Sequence, residues 1–307
     1  MEVKRSGFIA IVGRPNVGKS TLLNAFLGEK VAIVSAKPQT TRNKITGVLT
    51  DGDTQMVFLD TPGLHRSRTK LDEHMRRAVD DSIADVDVAV LVVEPQKDCG
   101  EAETELVEKL AAKKMPVILA VNKVDTVKKE TLMSVISTWA QRLDFATVVP
   151  VSAATGDGVK ILLSEIKKQM PQGPQYFPDD MLTDQPERLV VAEIIREKLL
   201  TLLSDEVPHG IAVSVESMKE RKSTAQSAAQ SAGETAMMDI EATIYCERDS
   251  HKGIIIGKGG RMLKTVGVRA RADIETLLDC HVNLQLWVKV KDDWRNREGV
   301  LKTLGYD

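Results

Sequence analysis

The residues best equipped for chemistry stand in one short run near the start of the chain. Gly13, Arg14, Pro15, Asn16, Val17, Gly18, Lys19 and Ser20 match GxxxxGK[ST], with Thr21 next in line. Glycines let such a run curl round a polyphosphate, and the N–H groups of the loop and of the helix behind it form a positive cradle. Lys19 is expected to reach the β- and γ-phosphates, and the Ser20 hydroxyl to ligate Mg²⁺. Further on, Asp60, Thr61, Pro62 and Gly63 spell DTPG and are followed by Leu64. Asp60, at a strand end, can hold the water shell of the metal, and the Gly63 amide can sense a γ-phosphate.

A third element selects the base. Asn122, Lys123, Val124 and Asp125 follow an apolar run, which puts them at the carboxyl edge of a sheet, where ligands bind. Guanine offers N1–H and N2–H₂ along one edge, and the Asp125 carboxylate can accept from both. Adenine offers neither and would leave a buried carboxylate unpaired, a difference worth about 10⁴ in discrimination. The Lys123 stem is expected to cover the base plane while Asn122 braces the neighbouring loops. Ser152 and Ala153 end the last strand and are expected to aim the Ala153 amide at guanine O6.

A second, separate constellation lies near the C-terminus. Gly257, Lys258, Gly259 and Gly260 form a GxxG loop flanked by Arg261 and Lys264. Its glycines permit close approach to a sugar–phosphate backbone, and Lys258 adds charge beside the phosphates. From Lys252 to Arg271 there are six basic residues and no acidic one. Ile254, Ile255 and Ile256 are expected to floor a groove for single-stranded bases. Trp287 and Trp294 are candidates to stack on bases, with core or interdomain packing favoured for Trp287.

The elements that must position these groups are legible as patterns. Ile9–Val12, Met56–Leu59, Val88–Val93, Val117–Val121 and Val148–Val151 are continuously apolar, as parallel strands covered on both faces must be. Helical stretches alternate with them, among them 20–27, 101–112, 130–140 and 159–169, which predicts a doubly wound α/β sheet. Asp51, Gly52 and Asp53 signal the turn of an antiparallel hairpin. Residues 171–187, rich in proline and glycine, are read as an interdomain linker. Beyond it the pattern predicts a helix over 188–203 and strands over 211–215, 240–246 and 282–290, while the Ala/Ser/Gln-rich tract Ser223–Met238 reads as a flexible insertion.

At 307 residues the chain is long enough for two cores. Its net charge of −2 gives no global attraction for nucleic acid, so any such binding must be local to the basic stripe. Cys99, Cys246 and Cys280 are widely spaced and read as reduced core residues. Met1–Gly7 has no signal-peptide character, and no apolar run approaches the ~20 residues of a membrane span.

Taken together, these residues resemble the G1, G3, G4 and G5 elements of the translation-factor-related GTPases. Pro38, Gln39, Thr40, Thr41 and Arg42 resemble the switch I sequence of the Era family, which makes Gln39–Asn43 the G2 element and favours Thr41 over Thr40 as a further Mg²⁺ ligand. The C-terminal GxxG loop, the run from Glu193 to Leu199 and the segment from Leu286 to Tyr306 resemble that family's type II KH domain, of order α-β-β-α-α-β. The resemblance implies a Ras-like P-loop G domain over 1–170, with a mostly parallel doubly wound sheet, and an α+β type II KH RNA-binding domain over 188–307. It implies a GTPase using GTP, GDP and Mg²⁺, with Lys19, Thr41 and Gly63 acting at the γ-phosphate. Leu64 occupies the place of the water-orienting glutamine of Ras-like enzymes, so turnover is expected to be slow. By the same resemblance Asn16 is a K⁺ ligand. The implied partners are the 3′ end of 16S rRNA and the 30S ribosomal subunit; the implied state is a monomer in the cytoplasm, with peripheral association to the inner face of the cell membrane.

Overall fold

The structure is a computed structural model and describes residues 3–64, 68–96, 99–204, 207–221 and 237–306. The chain forms two compact units, Met1–Gln185 and Pro186–Asp307.

In the first unit the order is β1 (Arg5–Val12), α1 (Lys19–Leu27), β2 (Ile45–Asp51), β3 (Thr54–Asp60), α2 (Lys70–Ala84), β4 (Val88–Val93), α3 (Glu101–Ala111), β5 (Val117–Val121), α4 (Lys129–Ala140), β6 (Thr147–Pro150) and α5 (Val159–Gln169). The strands form one sheet in the order β2-β3-β1-β4-β5-β6, parallel except for the β2–β3 hairpin. The continuous apolar runs have a direct explanation. Ile9, Ile11, Val88, Val90, Val92, Ile118 and Ala120 pack into a core with α1 and α5. The alternate residues Ala10, Val12, Ala89, Leu91, Val93, Leu119 and Val121 pack on the other face with α2, α3 and α4. A strand buried on both faces needs an apolar side chain at every position.

Helix α2 has no counterpart in the sequence reading. It is set by Thr69, whose hydroxyl accepts from the Asp72 N–H while Asp72 returns the bond to the Thr69 N–H. Leu71, Met75, Val79 and Ile83, four apart, form its buried stripe.

The stretch read as a linker departs from expectation: its residues up to Gln185 belong to the first unit. The buried Gln55 side chain accepts from the Tyr176 and Phe177 amides at 2.8 and 3.0 Å and donates to the Phe177 carbonyl at 2.8 Å. The Val48 N–H donates to Leu182 O at 2.8 Å, and Tyr176 packs on Phe8 with ring centroids 4.9 Å apart. Composition signalled a break in secondary structure, and the chain answers it with a strap along the β2 edge. That strap covers backbone groups an open edge would expose.

The second unit runs α6 (Glu187–Leu202), β7 (Ala212–Glu220), β8 (Met237–Cys246), α7 (Asp249–Ile256), α8 (Arg261–Leu278), β9 (His281–Val290) and α9 (Glu298–Thr303). Its sheet is β7-β8-β9, antiparallel then parallel, with α6 and α8 over one face. This is the α-β-β-α-α-β order, closed by a C-terminal helix. Met237 and Met238 belong to β8, and the rest of the Ser223–Met238 tract lies outside the described residues. Cys246 is a core residue, whereas Cys99 and Cys280 are half-buried. The tryptophans reverse their expected parts. Trp294 is fully buried and donates to Gly210 O at 2.9 Å, while Trp287 is 42 % exposed on β9. No helix among the described residues is long and apolar enough to cross a membrane.

Candidate nucleotide and nucleic-acid sites

The parallel strands carry every predicted nucleotide group on their carboxyl ends: Gly13–Ser20 after β1, Asp60–Gly63 after β3, Asn122–Asp125 after β5 and Ser152–Ala153 after β6. Between the first loop and the segment joining α1 to β2 lies a cleft of ≈ 440 Å³, lined by Pro15, Asn16, Gly18, Lys19, Ser20, Thr21, Gln39, Thr40, Thr41, Gly63 and Lys123. Ile33, Val34, Ser35 and Ala36 also line it and were not marked in the sequence, since small and apolar residues carry no chemical signature. Helix α1 opens on the cleft with no side-chain cap and no acidic residue in its first turn. Its leading N–H groups and positive dipole end are therefore available to an anion.

Lys19 is buried, and its ammonium donates to Gly13 O at 3.2 Å and Arg14 O at 2.8 Å. Burial lowers its pKa to about 8, with Asp60 acting against the shift. Burial likewise raises the Asp60 pKa to about 6, with Lys19 opposing. Asp60 Oδ2 accepts the Ser20 hydroxyl at 2.6 Å, and Ser20 Oγ lies 2.8 Å from Thr41 Oγ1. Thr40 is turned away, its hydroxyl donating to Lys37 O at 2.6 Å. Three oxygens from β3, α1 and the α1–β2 segment thus meet at one point, and the buried Asp60 Oδ1 beside them has no hydrogen-bond partner. A hard divalent cation fits that donor set.

Other predicted residues have parts within the protein. Asn122 donates to Val17 O at 2.7 Å and accepts from the Ala153 N–H at 2.9 Å. It braces the loops as expected, and it engages the amide that was expected to serve guanine O6. Lys123, at φ 61°, pairs with Glu94, which holds its ammonium while the stem lines the cleft. Asp125 sits in an exposed 3₁₀ turn, so the burial assumed for its carboxylate would have to come from the base itself. Arg14 pairs with Glu103 of α3 at 2.8 Å. Asn16, at φ 63°, donates to Ala36 O at 2.8 Å. The Thr61 hydroxyl donates to Ile11 O at 2.8 Å. Leu64 is buried in the α2-facing core with Val79 and Ile83.

In the second unit Gly257, Lys258, Gly259 and Gly260 join α7 to α8, all three glycines at positive φ, and α8 begins without a side-chain cap. Beside the loop a groove of ≈ 420 Å³ runs between α8 and β9, lined by Leu263, Lys264, Gly267, Val268, Arg271, Val282, Asn283, Leu284 and Leu286 among others. The groove floor therefore differs from the expected Ile254–Ile256. Ile255 is fully buried in the core, Ile254 is exposed, and the apolar surface comes from the helix after the loop and the edge strand. Helical periodicity in α8 could have revealed Leu263, Gly267 and Arg271 as one face.

The GTPase family model described as 50S ribosome-binding GTPase matches residues 8–123, and the KH domain model matches residues 206–295. GTPase Era of Ruminiclostridium cellulolyticum is 49 % identical over 98 % of this chain and 97 % of its own, and that of Alkaliphilus metalliredigens 50 % identical over 99 % of each. The chain belongs to the Era family of GTPases. A crystal structure of Era with MgGDPNP and nucleotides 1506–1542 of 16S ribosomal RNA superposes with a TM-score of 0.92 at 36 % identity, covering 99 % of both chains. A variant of Aquifex aeolicus Era bound to GDP·AlF₄⁻ gives 0.90 at 36 % identity, covering 98 % of this chain and 99 % of that one. Membership of this family makes the chain a guanine-nucleotide-binding, GTP-hydrolysing protein with an RNA-binding domain of the KH type.

Proposed function

We propose that this Era-family GTPase is a switch that binds the 3′ end of 16S rRNA through its KH unit and assists assembly of the 30S subunit. The observation that carries the reading is the meeting of Ser20, Thr41 and Asp60 beside Lys19 at the mouth of an uncapped helix. Such a meeting has no structural purpose except to grip a metal-bound phosphate tail. Ser20 and Thr41 would hold Mg²⁺ directly and Asp60 through its water shell; the bound ion neutralises charge on the phosphates. Lys19 and the α1 N–H groups bind the β- and γ-phosphates, and the Gly63 amide follows the γ-phosphate. Asp125 reads the guanine edge, and the Asn16 side chain is the candidate K⁺ ligand. The similar Era solved with 16S rRNA nucleotides supports assigning the α8–β9 groove and the GxxG loop to single-stranded RNA, with Gly257–Gly260, Arg261 and Lys264 against its phosphates. The family resemblance further assigns a monomer working in the cytoplasm, with peripheral contact at the inner face of the membrane.

The test is single-turnover GTP hydrolysis by the full chain, with RNA binding followed by anisotropy of a labelled 16S 3′-end oligonucleotide. Slow, Mg²⁺-dependent cleavage and oligonucleotide binding are expected. Lys258→Asp with Gly259→Asp, both on the exposed loop, should abolish RNA binding and leave GTP affinity unchanged. Unaltered RNA affinity would refute the groove assignment.

A further inference from the structure

Hydrolysis needs a group that aligns water with the γ-phosphate, and Leu64, whose side chain is sunk in the α2-facing core, cannot be that group. The geometry points to Gln39 as the residue that orients the attacking water, with Asp72 as the residue that positions it. This inference rests on the hydrolytic reading above and names the missing part of that site.

Gln39 lines the same cleft as Lys19, Ser20, Thr41 and Gly63. Its backbone is held at φ 59°, a region that non-glycine residues enter rarely and that clusters at functional positions. Its Nε2 donates to Asp72 Oδ1 at 2.8 Å. Asp72 is itself 5 % exposed and fixed, because its Oδ2 accepts from the Arg68 and Thr69 amides at 2.9 Å each. A second bond, 2.9 Å between His74 Nε2 and Asn43 Oδ1, ties the same two segments together. A carboxamide anchored through its nitrogen has its roll fixed, and its oxygen, with two lone pairs, becomes the acceptor for a water proton. Locking the rotamer in advance is what an orienting group requires.

In the step itself the water oxygen forms a bond to Pγ while the bond from Pγ to the β,γ-bridging oxygen breaks. The bridging electron pair leaves with GDP, and the water proton ends on a non-bridging oxygen of the released phosphate. Gln39 accepts a hydrogen bond throughout and neither gains nor loses a proton.

The experiment compares the full chain with Gln39→Ala and Asp72→Asn under single-turnover conditions at saturating GTP and Mg²⁺, alongside GTP affinity and thermal melting. Gln39→Ala should lower the cleavage rate by about 10- to 100-fold, the scale of lost alignment, with affinity within about twofold. Asp72→Asn keeps an oxygen for the helix cap and turns a donor toward Gln39. The carboxamide would then roll over and present N–H₂ to the water, so the rate should fall similarly with melting unchanged. A purely structural Asp72 would not separate rate from melting in this way. A Gln39→Ala rate within about twofold of wild type, or a loss matched by an equal loss of affinity, overturns the inference. No cleavage by the wild-type chain would instead sink the hydrolytic reading on which it stands.

Discussion

Asn122→Ala tests whether the two ends of the nucleotide site are bound through one side chain. Asn122 is 2 % exposed and makes two bonds, to Val17 O at 2.7 Å and from the Ala153 N–H at 2.9 Å. Val17 and Ala153 are 1 % and 8 % exposed, so truncation leaves a carbonyl and an amide buried without partners. Each such orphan costs about 1–3 kcal/mol, about 2–6 kcal/mol for the pair. For a domain of this size each kcal/mol moves the midpoint by about 2–4 °C, so the first unit should melt at least about 4 °C lower. Scanning calorimetry of the nucleotide-free full chain measures this, and a transition belonging to the second unit should stay in place. The same change frees the phosphate loop from the base loop, so added GTP should recover less stability than in wild type, by the logarithm of the affinity ratio. A shift under about 2 °C would mean that water or neighbouring groups satisfy both atoms. The bracing argument would then be wrong.

Gly63→Ala would place a methyl 2.5 Å from the Pro15 backbone, inside any real contact, so one of the two loops must move. It should erase the preference for GTP over GDP in paired titrations while GDP affinity persists; an unchanged ratio counts against Gly63 as the γ-phosphate sensor. Asp125→Asn should cut the preference for GTP over ATP by orders of magnitude, toward the ~10⁴ that paired groups can supply, and equal preference in competition binding would contradict the carboxylate reading. Gln55→Ala removes three hydrogen bonds to the 171–185 strap, so limited proteolysis should cut the strap faster with nucleotide binding intact. Unaltered cleavage kinetics would show that the remaining contacts suffice.

The nucleotide site was legible because its chemistry is local: each motif is a few consecutive residues at the end of a strand whose apolar run announces it. The choice of Thr41 over Thr40 came from family resemblance alone, and its physical reason is tertiary. The Thr41 hydroxyl meets Ser20 from another element, while that of Thr40 turns back on Lys37. Other readings failed for the same cause. Three isoleucines in a row look alike, yet a helix turns each by about 100°, so Ile255 enters the core while Ile254 faces out. Trp287 and Trp294 differ only in whether the ring meets the core, which no local pattern records. Proline and glycine in 171–185 forbid regular structure but not attachment, and the attachment depends on Gln55, a polar residue buried in β3 whose partners lie more than a hundred residues away. Gln39 belongs with these. Within PQTTR it is one polar loop residue among several, and its meaning appears only when Asp72 arrives across the fold to hold its amide. Groups that act through their own chemistry can thus be read one motif at a time, whereas groups that act through another's orientation need the fold to bring the pair together.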